Sequence, residues 1–291
     1  MDTEVECVLE RADLLGEGPV WSEQDQSLYR VDIAGRRVRR FSPATGEQRE
    51  WIVPSEVGAL ALRTGGGAVL ALRTGFALLD LASGHLDPVG DPEHGRPANR
   101  FNDGACDRAG RFWAGTLHDD ELEPLGSLYR LDPDLGWHAV LHDVICSNGL
   151  GWSPDDRTMY FTDSRVGRID AFDFDLASGS LSRRRPFAVL DGQDGVPDGL
   201  TVDADGYVWS AVWDGWRVVR YAPDGRVDRV VELPVQRPTS CAFGGRDLAT
   251  LYVTSAARGL TAAERAAGPL GGSLFALQPG VRGLPEPLFA G

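Results

Sequence analysis

The chain has 291 residues, 42% of them apolar, and all 29 of its basic residues are arginine, set against 43 aspartates and glutamates. The absence of lysine excludes a Schiff-base lysine, pyridoxal phosphate attachment, a phosphate-loop lysine and a Ser–Lys nucleophile pair. The formal charge of −14 argues against nucleic acid or an anionic membrane as partner and leaves a small molecule or a cation.

In chain order, a strand-like Glu6-Cys7-Val8-Leu9 comes first, within an N-terminal stretch that lacks the basic start and apolar core of an export signal. No later stretch approaches the roughly 20 apolar residues of a bilayer span, so a cytoplasmic location is expected. Six apolar strand cores follow, at Leu28-Tyr29, Val69-Leu70, Phe112-Trp113, Tyr160-Phe161, Val208-Trp209 and Leu251-Tyr252, spaced by 41 to 48 residues. Hairpin-type turns precede most of them: Glu23-Gln24-Asp25, Asp107-Arg108-Ala109-Gly110, Ser153-Pro154-Asp155-Asp156 and Asp203-Ala204-Asp205-Gly206. A third strand with alternating pattern comes after each core, as in Arg168–Phe174 and Arg217–Tyr221, and a fourth after that, as in Phe187–Leu190. Four short strands per repeat of about 45 residues predict an all-β, six-bladed β-propeller with four-stranded blades around a central channel. No linker interrupts the repeats, so residues 1–291 are expected to be one domain. The only helical signal is a turn at Thr261–Ala267. Closure of the ring predicts that one terminal strand, Glu6–Leu9 or Pro287–Ala290, completes the blade begun at the other end.

Several motifs fail on context. Gly65-Gly66-Gly67 is followed by a strand and reads as a turn, not a phosphate cradle. Asp203-Ala204-Asp205-Gly206 opens like a calcium loop, but its twelfth position is Asp214 and no ligand fits at Tyr207. No GxSxG elbow occurs. Arg183-Arg184-Arg185 belongs to an outer strand, where charge blunts edge pairing. Cys7, Cys106, Cys146 and Cys241 form neither a CxxC pair nor a zinc spacing and read as packing residues, with Cys146 and Cys241 beside inner-strand starts. Of five scattered histidines, His118 alone falls near the proposed channel mouth.

Four polar tetrads remain: Gly16-Glu17-Gly18-Pro19, Phe101-Asn102-Asp103-Gly104, Ser147-Asn148-Gly149-Leu150 and Pro197-Asp198-Gly199-Leu200. Singly, each reads as a turn just before a strand. Together they recur in step with the blades: Glu17 to Tyr29, Asn148 to Phe161 and Asp198 to Trp209 differ in length by a residue or two. Equivalent positions of a radial repeat point at one axis, so these residues can meet around one ion. Ser55-Glu56-Val57 and Thr239-Ser240-Cys241 occupy the same place in blades two and six as channel lining. Glu17, Asn148 and Asp198 offer two carboxylates and an amide oxygen. That set suits calcium first, with magnesium, manganese, zinc or iron as alternatives, and leaves positions open for water and substrate.

These segments, with Asn99–Gly104, Arg111–Thr116, Asp170–Asp175 and Thr239–Gly245, run nearly end to end in the order found in one family. The chain resembles senescence marker protein (regucalcin), gluconolactonase and related sugar lactonases. The resemblance implies metal-dependent hydrolysis of a sugar lactone to its aldonic acid. Its metal ligands fall on Glu17, Asn148 and Asp198, and its substrate-binding Arg and Asn on Arg100 and Asn102. Where some members carry a substrate-contacting Glu, this chain has Asp120. Asp198 is the candidate general base, and Asp163 is a candidate for the cavity floor or for turn capping. Two rival expectations are another ester or organophosphate hydrolysis on the same scaffold, and a non-catalytic calcium-binding propeller.

Overall fold

The computed structural model describes residues 4–190 and 192–291. Its strands form six four-stranded antiparallel sheets, arranged as the blades of a ring: a six-bladed β-propeller. Blade one runs Gly16–Ser22, Ser27–Asp32, Arg37–Phe41 and Gln48–Ile52 from the axis outward. The other inner strands are Val57–Leu62, Asn99–Cys106, Ser147–Trp152, Val196–Val202 and Pro238–Gly244. All six apolar cores lie in second strands, which are buried on both faces between neighbouring sheets and therefore lack polar alternation. Large rings fill the wedges between blades: Trp113 meets Trp152 and Phe174, and Trp209 meets Phe243 edge-on.

The tetrads are not turns ahead of strands. Each lies inside an inner strand, at a point where the register with the second strand slips, between Glu17 and Val20, Phe101 and Gly104, Ser147 and Leu150, and Pro197 and Leu200. Blades two and six slip at the same place. A bulge re-aims the side chain it carries, and in blades one, four and five these slips lie at Glu17, Asn148 and Asp198, whereas the blade-two slip carries only Gly58. Gly18 answers to its positive φ, but the other glycines of the tetrads answer to crowding. A Cβ on Gly149 would fall on the backbone of Asp198–Leu200, and one on Gly199 on Ser240, because inner strands of adjacent blades nearly touch.

The turns before the cores of blades three and five each hold a structural aspartate where the sequence suggests nothing more than a loop. Asp203 accepts hydrogen bonds from the backbone N–H of Asp205 and Tyr207, the Trp209 indole and Arg220, and Asp107 does the same for Ala109, Arg111 and Trp113. These carboxylates are occupied, so the calcium-loop reading of Asp203 fails for a visible reason. The helical turn is realised as Ala262–Ala267, capped by Thr261 and Glu264. Val5–Leu9 pairs with Leu274–Leu277 as the outermost strand of blade six, closing the ring. The C-terminal segment instead plugs the channel's far end. Phe289 is fully buried and bonds the backbone of Leu62 and Thr64, while Leu284–Pro287 line a small cavity there with Asp103 and Arg108.

Candidate active site

A cavity of about 570 Å3 opens at the other end of the channel, lined from all six blades. Glu17 enters from blade one, Glu56 and Arg73 from blade two, Arg100 and Asn102 from blade three, Asn148 and Arg165 from blade four, Asp198 from blade five, and Arg237 and Arg258 from blade six. The volume falls within the range of small-molecule sites. Inner-strand bulges supply the deep residues and the loops between strands supply the rim.

The floor is a cluster of buried oxygens. Glu17 accepts one hydrogen bond, from the Gly18 N–H at 3.0 Å. The Asp198 Oδ1 and the Asn148 Oδ1 are buried with no donor, while the Asn148 amide donates to Ser164 Oγ at 3.0 Å. Burial, then repulsion by Asp198 and Asp103, pushes the Glu17 carboxyl well above its usual range. Burial and Asp103 do the same to Asp198, with nearby Asn148 acting in the opposite direction. Asp103, just beneath, is raised by burial to about 6 despite a bond from the Gly104 N–H. Three acids that cannot easily ionise together, beside two oxygens without donors, form an environment that a divalent cation would relieve. Among the described residues no three His, Cys, Asp or Glu side chains form a metal group by themselves, so the carboxylate pair needs the Asn148 amide as its third donor. Hard oxygen donors of this kind fit calcium, magnesium or manganese best.

One wall holds a fixed hydrogen-bonding pair. The buried Arg100 donates to Asn102 Oδ1 at 2.7 Å, and the Asn102 amide donates to the Ser147 carbonyl at 2.8 Å, tying blade three to blade four. Burial holds the Arg100 guanidinium below its ordinary value. The pair leaves Arg100 donors directed into a wet, polar cavity, which suits ring and hydroxyl oxygens.

The sequence-derived residues Glu17, Arg100, Asn102, Asn148 and Asp198 thus share one cavity. Asp120 is corrected: its side chain is 72% exposed and lines no part of the cavity, whereas Asp119 and Glu121 do. A tight turn, with the Glu121 N–H bonded to the His118 carbonyl and Glu121 at positive φ, swings Asp120 outward, while Arg73 grips Asp119 at 2.7 Å. His118 lies in a separate depression with His142. Asp163 caps backbone N–H groups of Ile145 and Cys146 and is not on the cavity floor. Cys146 lines the cavity, and Cys241 lines the opposite end of the channel. Sequence reasoning missed the rim arginines Arg73, Arg165, Arg237 and Arg258. They sit at strand ends and in loops of different lengths, where no repeat phase marks them.

The family described as SMP-30/Gluconolactonase/LRE-like region matches residues 15–257. The chain is 42% identical over 294 residues to a 6-deoxy-6-sulfogluconolactonase from Pseudomonas putida, covering 100% of both proteins. It is 40% identical to regucalcin of Gallus gallus over 99% of this chain and 98% of that one. The solved structure of a calcium-binding protein, regucalcin, from Agrobacterium tumefaciens superposes with a TM-score of 0.94 at 30% identity, covering 99% and 98% of the two chains.

Proposed function

The chain belongs to the SMP-30/gluconolactonase/LRE-like family, and from that premise we propose that it hydrolyses a sugar lactone to its aldonic acid with one divalent metal ion held by Glu17, Asn148 and Asp198. The observation that carries the reading is the pairing of donorless buried oxygens on Asn148 and Asp198 with the Arg100–Asn102 clamp in one cavity. The ion, calcium by preference, supplies a Lewis acid for an ester carbonyl, a contribution of several kcal/mol to catalysis in sites of this kind.

The chain's own residues do the rest. Arg100 donates to the ring or hydroxyl oxygens of the lactone, and Asn102, held by Ser147, keeps that guanidinium in one orientation. Asp198 accepts the proton of the attacking water and returns it to the leaving alkoxide as the ring opens. A water nucleophile needs no serine or cysteine, in keeping with a chain that lacks a GxSxG elbow. The sulfonated gluconolactone named for the Pseudomonas relative lies within the proposed substrate class.

A purely calcium-binding role draws on the likeness to the calcium-binding Agrobacterium protein; a cavity with a substrate-type clamp beside the oxygen cluster favours catalysis. The test is a panel of five- and six-membered aldonolactones, an aryl ester and a phosphotriester, assayed on wild type and Arg100→Lys. Lactones are expected to lead by kcat/KM. Arg100→Lys should lower that value at least tenfold, because charge is kept but the two-pronged geometry is lost. A phosphotriester that outruns the lactones, or no turnover of any substrate, sinks the assignment.

A further inference from the structure

Five arginines and five acidic side chains line the cavity. Four of the arginines have partners. Arg73 bonds Glu56 and Asp119, Arg165 bonds Glu121 at 2.6 Å, Arg100 bonds Asn102, and Arg237 bonds Asp214 at 2.6 Å while stacked 4.7 Å over the Trp213 ring. Arg258 differs. Among the described residues its guanidinium makes no ion pair and no side-chain hydrogen bond, although its backbone carbonyl is held by Arg237 Nη1 at 2.7 Å. Arg258 follows the second strand of blade six, and Arg100 lies on the inner strand of blade three. In a ring of six, these blades face each other across the axis. The Arg258 charge reaches far enough to disfavour the charged form of Arg100.

The charge balance gives this meaning. Counting Asp214, which neutralises Arg237, five arginines face six carboxylates, so a divalent ion on the floor would leave one surplus positive charge, inside a chain whose formal charge is −14. A neutral polyol leaves that surplus unanswered and Arg258 unpaired. An exposed guanidinium on the cavity rim, opposite the Arg100–Asn102 clamp, is placed to meet charge at the substrate's far end.

We infer that Arg258 is a specificity-determining residue that pairs with an anionic substituent, a sulfonate or a phosphate, carried by the lactone at the end remote from its carbonyl. The inference rests on the lactonase reading for its substrate but not for its site. A rim arginine that is merely solvated is the competing account.

The test compares wild type, Arg258→Ala and Arg258→Lys on D-glucono-1,5-lactone and its 6-sulfonate and 6-phosphate counterparts. Wild type should prefer an anionic lactone at least tenfold by kcat/KM. In Arg258→Ala the anionic-to-neutral ratio should fall about tenfold to a hundredfold, the usual weight of a charged hydrogen bond, mainly through KM, with partial recovery in Arg258→Lys. Whichever of the sulfonate and phosphate lactones shows the larger loss identifies the anion. A ratio unchanged by Arg258→Ala, or a wild type without preference, overturns the inference. Calorimetry with gluconate and 6-phosphogluconate separates the two readings. If no lactone is turned over yet 6-phosphogluconate binds at least tenfold tighter than gluconate and loses this in Arg258→Ala, the lactonase reading fails and the anion site stands. Equal binding of the two acids removes the site whatever the turnover.

Discussion

At the scale of single residues, the site is built by leaving oxygens without donors. Asp198 keeps a buried Oδ1 free, and Asp198→Asn retains an oxygen for the metal while removing the proton acceptor. Its kcat on a sugar lactone should fall about a hundredfold or more at confirmed metal occupancy, measured by steady-state kinetics with metal analysis; a loss under threefold would reassign the base. A second residue makes a pH prediction away from the reaction. Glu286, at the plugged end of the channel, is pushed up by burial from its ordinary 4.5 to about 7, with Arg108 opposing weakly. Because the folded chain holds this proton more tightly than the unfolded one, its contribution to stability is complete below pH 4.5 and is lost as pH rises to about 7. Glu286→Gln should therefore gain in Tm relative to wild type between pH 5 and pH 8. Parallel Tm curves for the two proteins would show that the carboxyl is not strained. Of the cavity residues, Glu17, Asn148 and Asp198 were legible because inner strands repeat in phase, whereas Arg100 and Asn102 were carried over from the family resemblance. Asp120 misled because a one-residue difference in a tight turn decides which side chain faces the cavity, and only Asp119 and Glu121 do.

At the scale of elements, the strand cores and most turns were readable because each second strand centres on an apolar pair and turns carry Asp and Gly. The tetrads were placed just before strands and not inside them because Asn-Gly and Asp-Gly have the same composition in a turn and in a bulge where strands crowd. The arginine run is where an edge should carry it: Ser180–Val189 is an outermost strand, and Arg183 and Arg185 pair with Asp173 while Arg184 pairs with Asp170. Ring closure rests on Val5–Leu9. Deleting residues 1–10 exposes the edge of Leu274–Leu277 and removes four paired positions. The Tm should drop by at least about 4 °C, the equivalent of roughly 2 kcal/mol for a chain of this size. A calorimetric scan with no shift would mean that the ring does not depend on this strand.

At the scale of the whole molecule, one architecture explains why residues 181 positions apart, Glu17 and Asp198, work as neighbours. The propeller brings polar residues of several inner strands to its axis, plugs one end with the C-terminal segment and leaves the other open as the cavity. Among the described residues no helix is long and apolar enough to cross a membrane, and the cavity lining mixes charged and polar side chains with Leu15, Ile33, Val196 and Trp213. Central to the proposed hydrolysis is one metal site formed by Glu17, Asn148 and Asp198. Its test follows acid release from D-glucono-1,5-lactone with protein that is as purified, chelator-stripped to verified metal absence, and re-supplied with calcium, magnesium, manganese or zinc. Stripping should abolish turnover, at least one ion should restore it, and Asn148→Ala should resist restoration while keeping the wild-type circular dichroism. Full activity in the verifiably metal-free protein would contradict it.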